Sequence, residues 1–552
     1  MSPESPFFTH EVENQAPPLG DYDAWGTDTV LREGVAREGG GWAEAHLAAF
    51  GVVAGGELMR QGYVANENKP KLRAFDRYGH RLDEVEFHPA YHRVMQLGMQ
   101  YGVHAFAWRN EDKPGAHVAR AALSYMHAQA EAGTGCPLTM THSAVPTLRH
   151  GTALAQRWLP KINSYDYDPR VMPMAEKTGC TIGMGMTEKQ GGSDVRANST
   201  RAVRQADGSY RIVGHKWFFS APMCDAWLVL AYTSSDGGGA GLGCFLMPKV
   251  LDDGSRNAIR IQRLKDKLGD WSNASSEVEF HDARAEIVGQ EGRGVATILQ
   301  MVALTRLDCM IGSSALMRQA LVQALHHARH RKAFGKRLAE HALMKNVLAD
   351  LALDSEACTA LTLRVARAVD ASPRDAGEAA FARLATAIGK YWICKRCPPF
   401  INEAQECLGG AGYVEESNLP RLYRQAPLNS IWEGSGNIQC IDVLRALNKE
   451  PETREAFFAE LLAAKGAHAD LDREIGWLSS AFDDVTTLEL RSRMIVERMA
   501  LALQASVLLR AGVPGAELFA TTRLGGEHGL NYGTLPADAP FDAMMARAAV
   551  AA

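Results

Sequence analysis

YRIVGHKWFFSAPMCDAWLVLAYT (210–233) is the stretch that decides the fold. It holds two short runs rich in aromatic and β-branched residues, YRIVGHKWFF (210–219) and AWLVLAYT (226–233). Two more follow, CFLMPKV (244–250) and SSEVEFHDA (275–283). The turn clusters DGS (207–209), SSDGGGAGLG (234–243) and DDGSRN (252–257) separate them. Repeated short strands with glycine-rich turns predict a β-domain, barrel or sandwich, over 181–288.

On both sides the pattern turns helical. Residues 1–40 are polar and Gly/Pro-rich and read as an extended arm; 41–180 are mainly helical. There VARAALSYMHAQAEAG (118–133) puts Val118, Ala121, Ala122 and Tyr125 on one stripe. Beyond the β-domain, 298–331, 343–369 and 378–397 are three long helical segments. The prediction is an α+β multidomain protein. It has an arm and N-terminal helical domain (1–180), a β-domain (181–288), a C-terminal four-helix-type bundle (289–447) and a helical extension (448–552).

The chain has 552 residues, 46% hydrophobic and 22% charged, with a formal net charge of −5. This is ordinary for a globular protein and gives no global attraction to nucleic acid or anionic membrane. The extension holds ten Lys and Arg against fifteen Asp and Glu, so it carries the whole negative surplus. The first residues lack the basic-then-apolar pattern of a signal peptide, and no run approaches 18 uncharged apolar residues. A cytoplasmic protein is expected, with its ten scattered cysteines reduced. Cys394 and Cys397 have CxxC spacing without a second ligand pair, and His326 and His330 lack a completing carboxylate or thiol. No metal is expected.

LNSIWEGSGNIQ (428–439) carries the chemistry. One carboxylate, Glu433, lies between an indole and a Gly-Ser-Gly loop. Partial desolvation beside Trp432 raises its pKa towards that of a useful proton-abstracting base. GMGMTEKQGGSDV (183–195) offers the hydroxyls of Thr187 and Ser193 and clustered N–H groups to a flavin edge or a phosphate. Its spacing is not GxGxxG, so a Rossmann domain is not supported. HKWFFSAP (215–222) follows three aromatics with a hydroxyl. RHRKAFGKRL (329–338) places Arg331 and Phe334 past a helix end, where cations also favour the macrodipole. ECLGGAGY (406–413) is a turn that a flat ligand could approach, or simply a helix stop.

In this order the five motifs resemble the acyl-CoA dehydrogenase flavoprotein family, and most closely its branch associated with the adaptive response to alkylation. REGGGW (37–42), RLKDKLGDWSNAS (263–275), ESNLPRLYR (416–424) and the C-terminal extension carry the likeness to that branch. The resemblance implies FAD bound non-covalently at the interfaces of a homotetramer. It assigns Met186, Thr187, Gly192 and Ser193 to the flavin edge, Phe218 to the slot of a stacking Trp and Ser220 to that of a Thr near N5. Phe219, Ile431, Trp432, Ser435 and Asn437 join this cofactor set. Arg331 and Phe334 match a pair that reaches a neighbouring subunit's FAD, Gly409 and Gly410 a turn over the same dinucleotide, and Glu433 the catalytic base.

In such enzymes the base removes the proton α to an acyl-thioester carbonyl while a hydride leaves the β-carbon for flavin N5. The sequence also departs from the family. Ala303 stands where relatives carry an Asp ahead of the helix arginine, here Arg306, and Cys440 stands where many have Arg. Trp432 replaces a smaller neighbour of the base. Lost charge-assisted hydrogen bonds, each worth roughly 1.5–3 kcal/mol, predict a weak grip on CoA. The branch also implies sequence-independent double-stranded DNA binding, with Arg445 matching an arginine linked to that role and Arg491 and Arg498 predicted to share a helix face. The alternatives are a DNA-protective flavoprotein whose FAD is mainly structural, or a conventional short- or branched-chain acyl-CoA dehydrogenase. A purely structural scaffold would leave the five motifs unexplained.

Overall fold

The computed structural model describes residues 7, 9–233 and 241–550. The first part of the predicted glycine turn 234–243 and the first residues of the arm lie outside these. Between two helical blocks, the β-domain consists of β3 (Ile182–Gly185), β4 (Arg201–Arg204), β5 (Tyr210–Ser220), β6 (Ala226–Thr233), β7 (Leu242–Pro248), β8 (Ile259–Leu264) and β9 (Ser275–Val288). The pairings β6–β4, β4–β5, β5–β9, β9–β7 and β7–β6 close a ring, and β3 and β8 pair with β6 and β9. The domain is therefore a small barrel. In β6 every residue but Tyr232 is buried, which accounts for its unbroken apolar run.

An antiparallel hairpin, β1 (Lys71–Phe75) with β2 (Arg81–Glu86), interrupts the N-terminal region that was read as mainly helical. Its strands are short and charged, so no apolar period announces them. The turn does: Asp76 accepts from the N–H groups of Tyr78 and His80 at 2.8 and 2.9 Å. The predicted stripe on 118–133 is also wider than one face. Helix Ala116–Ala130 buries twelve of its fifteen residues, and Val118, Ala121, Ala122 and Tyr125 are among them.

The molecule is built around helix Gly294–His330, 37 residues and about 55 Å long. By length and composition it could cross a membrane, but most of its apolar stretch is buried by protein. Helices Ala342–Ala371 and Ala376–Glu406 pack along it. The latter runs nine residues beyond the predicted end, through Pro398 and Pro399. Burial of Phe400, Ile401 and Ala404 offsets the roughly 3 kcal/mol that an interior proline costs.

The arm and the extension both lie against this framework. Backbone bonds join Tyr22 and Ala24 to Gly55 and Gly51. A Cβ at Gly55 would fall 2.0 Å from the Tyr22 carbonyl, so glycine is required there. Further out, Asn14 brackets Lys332 through its amide oxygen and nitrogen at 2.8 and 2.9 Å. The extension forms helices Pro451–Leu462, Ala469–Ala481, Leu488–Ala511 and Phe541–Ala548. It is fastened to helix Ala342–Ala371 by buried charges. Asp354 takes Arg396 at 2.8 Å, Arg523 and the Tyr532 hydroxyl at 2.8 Å, and Asp350 takes Arg523 and the Gly533 N–H. Arg318 ties in both chain ends, pairing with Asp28 at 3.0 Å and donating to the Ala548 carbonyl.

Candidate active site

Glu433 lies in the loop ahead of helix Gly436–Lys449, with φ +57°. The following Gly434, at φ +94°, has the Gln439 amide 2.7 Å from where a Cβ would stand. The left-handed turn carries the Glu433 side chain to helix Gly294–His330, where Oε2 accepts from the Thr305 hydroxyl at 2.7 Å. Burial raises the pKa of the carboxyl; the Thr305 hydrogen bond and the charges of Lys390 and Arg306 oppose that rise without cancelling it. The indole of Trp432 is fixed by Asn429 at 2.9 Å and packs against the barrel core.

The barrel meets this loop through its apolar core. Met184 and Met186 pack against the same apolar core as Trp432. The Thr187 carbonyl accepts from the Trp217 N–H at 2.8 Å, which sets the 186–193 loop beside β5. At the end of β5, past an irregularity in its pairing between Lys216 and Phe219, the side chains alternate. Phe218 is half exposed, and Ser220 is partly buried with its hydroxyl 3.4 Å from that of Ser275. Phe219 points the other way, fully buried with its ring 4.9 Å from Trp227 and 5.9 Å from Phe280. Its place in the cofactor set is corrected accordingly: strand alternation turns it into the barrel.

One buried pair supports this part of the barrel and was not singled out in the sequence. Lys216 and Glu188 are fully buried and 2.8 Å apart, and Lys216 also donates to the Leu230 carbonyl at 2.9 Å. The Glu188 carboxylate in turn accepts from the Ser199 N–H at 2.7 Å and the Gln190 amide at 2.7 Å, so it organises the loop from inside. Lys216 and these hydrogen bonds outweigh burial and hold the Glu188 pKa down to about 2.

The remaining motif residues lie elsewhere. Arg331 caps the far end of the helix that bears Thr305, about 39 Å along its axis. The Arg331 guanidinium meets the Asn14 carbonyl at 2.5 Å, and Phe334, at φ +50°, is 98% exposed. Gly409 and Gly410 are exposed past the end of helix Ala376–Glu406, with open space where a Cβ would stand. Ile431, Ser435 and Asn437 are exposed around the Glu433 loop. Arg331 with Phe334, and Gly409 with Gly410, thus each follow the C-terminal end of a long helix, away from the Glu433 loop in the chain.

Arg445 is exposed on helix Gly436–Lys449. Arg491 and Arg498 lie seven apart on helix Leu488–Ala511, but both are paired within the extension. Arg498 pairs with Glu474 and lies 3.5 Å over the Trp477 ring; Arg491 bonds Thr487 at 2.8 Å and the Asp484 carbonyl at 3.0 Å. Acidic and aromatic neighbours within the extension occupy both guanidiniums.

Comparison with known proteins agrees with this layout. Residues 183–283 match the acyl-CoA dehydrogenase middle domain and 292–448 its C-terminal domain; 14–169 match the adaptive response protein AidB N-terminal domain. The chain is 51% identical to AidB of Escherichia coli (strain K12) over 469 residues, covering 85% of this chain and 86% of AidB. The chain belongs to the acyl-CoA dehydrogenase family. The match to the AidB N-terminal domain and to AidB of Escherichia coli makes it AidB-like, and membership makes the protein an oxidoreductase acting on CH–CH donors. Acyl-CoA dehydrogenase family member 11 of Caenorhabditis elegans is 32% identical over 425 residues, covering 75% of this chain and 68% of that protein. The crystal structure of C. elegans ACDH-11 in complex with C11-CoA superposes with a TM-score of 0.84 at 27% identity, over 94% of this chain and 93% of that one.

Proposed function

We propose that the protein binds FAD between copies of itself and removes the α-proton of an acyl-CoA thioester with Glu433. The carrying observation is the Glu433 carboxyl itself, desolvated and held by Thr305, next in sequence to Trp432, whose indole packs on the same barrel core as Met184 and Met186. The barrel surface of Thr187, Phe218 and Ser220 fits a flavin. It combines a half-exposed aromatic face, two hydroxyls and a loop in which a Cβ at Gly192 would press within 2.6 Å of the Thr187 hydroxyl. Met186, Thr187, Gly192, Ser193, Phe218 and Ser220 would hold the ring system of FAD. Arg331 and Phe334 of a second copy, together with the Gly409–Gly410 turn, would hold the dinucleotide end, since Arg331 lies about 39 Å along the helix from Thr305. The family precedent and this separation support a homotetramer.

Bound there, FAD supplies the acceptor for the two electrons that leave the β-carbon. Glu433 takes up the α-proton in its ionised form, and Trp432 would narrow the pocket beside it. Arg306 is engaged with the Glu433 carbonyl and Asp442, which supports a weak grip on the CoA arm. The test is anaerobic flavin bleaching by a panel of acyl-CoAs. Bleaching by at least one thioester, lost in Glu433→Gln, is expected; a flavin that none of them reduces would overturn the reading.

The second reading is a role in the alkylation response through double-stranded DNA, consistent with AidB-type membership. It rests on exposed Arg445, because Arg491 and Arg498 are internally paired. Duplex affinity should fall with salt, and Arg445→Ala should flatten that slope. An absence of binding at low ionic strength would eliminate it.

A further inference from the structure

Three consecutive carbonyls of the loop that bears Glu433 are gathered by side chains from three helices. Lys390, 1% exposed on helix Ala376–Glu406, donates to the Trp432 carbonyl at 2.7 Å and to the Gly434 carbonyl. Arg306 Nε donates to the Glu433 carbonyl at 3.0 Å. The Gln439 amide donates to the Glu433 and Gly434 carbonyls at 3.1 and 2.9 Å. Arg306 is itself oriented by Asp442 at 2.6 Å, and Arg383 steadies Asp442 at 2.9 Å. Between the two carbonyls gripped by Lys390 sits Glu433, in the left-handed region that a glutamate enters only when its surroundings over-determine it.

We propose that Lys390 is a positioning residue for Glu433: its buried ammonium holds the flanking carbonyls so that the loop stays in the left-handed turn and the carboxylate is delivered to Thr305. The claim deepens the proposed function and takes from it only the role of Glu433 as base. Carbonyls alone accept the two Lys390 bonds, so its positive charge is directed at the loop. The groups facing Glu433 are Thr305, Arg306 and Cys309 on helix Gly294–His330, Lys390 on Ala376–Glu406, and Gln439 with Asp442 on Gly436–Lys449. Lys390 and Arg306 are the cations among them, and both favour the ionised carboxylate.

The test reads the carboxyl without substrate. In the full-length purified protein, pH-difference infrared spectra of wild type and Glu433→Gln isolate the Glu433 band. Lys390→Gln keeps a donor and removes the charge; it should move the Glu433 midpoint upward by about tenfold in dissociation constant, and Lys390→Met by at least as much. Lys390→Arg should restore the wild-type midpoint. With a thioester that bleaches the flavin, kcat should fall in Lys390→Gln while KM holds. A folded Lys390→Gln that titrates Glu433 at the wild-type midpoint overturns the proposal. Failure of both neutral variants to fold, with Lys390→Arg intact, also overturns it, because Lys390 would then be needed for folding rather than for the carboxylate. Should no thioester bleach the wild type, the proposed reaction fails while the infrared titration still decides the role of Lys390.

Discussion

Glu433 joins an unusual backbone to an unusual acidity, and the two share a cause in the packed helices around its loop. Truncating the charge while keeping the shape, Glu433→Gln, should cost about 10²–10⁴ in the rate of flavin reduction, read by stopped-flow bleaching. The carboxyl is raised above 4.5, so the working ionised form accumulates only as pH climbs through that higher value, and turnover should rise with it. Folding has the opposite dependence. A carboxyl with a raised pKa adds stability that is fully present below the unfolded value and is lost as pH rises through the folded one. Thr305→Val removes the hydrogen bond that favours ionisation, so the rising limb of the pH–rate profile should move to higher pH. An unmoved limb would show that the hydroxyl does not act on the base.

Strand β5 does two jobs with alternate side chains, and Lys216 is the hinge between them. Replacing it by Met leaves the Glu188 carboxylate buried without its cation. The expected loss is about 3–5 kcal/mol in denaturant unfolding, part of it recovered in Lys216→Met with Glu188→Gln. This element also shows where sequence reading succeeds and where it stops. Repeated short strand-like runs and glycine turns disclosed the β-domain because its core is apolar and its strands are short. The hairpin 71–86 escaped because charged residues fill its strands. Phe219 was placed with the cofactor because three aromatics in a row hide which one faces inward. Lys390 was invisible for a different reason. In TAIGKYWICK it is one of two lysines in a largely apolar helix, and its acceptors lie more than forty residues further along the chain. Glu433, by contrast, announced itself through a short motif whose chemistry is local.

Across the whole molecule, the extension is fastened by charges that acid can undo. Asp350 and Asp354 are held below the ordinary carboxylate range, Asp354 chiefly by Arg396 and Arg523 against the cost of burial. Carboxyls with lowered pKa values give stability that is present above the unfolded value and is lost as pH falls through the folded one. Acidification well below pH ~4 should therefore loosen residues 448–552, seen as early proteolysis of that segment. Asp354→Asn should do the same at neutral pH and lower the melting temperature, because two buried guanidiniums lose their common partner. An extension equally protected in the mutant would show that its apolar contacts suffice. Arg318, finally, touches both Asp28 and Ala548. One guanidinium thus pins two segments far apart in the sequence, so its loss would slacken both at once.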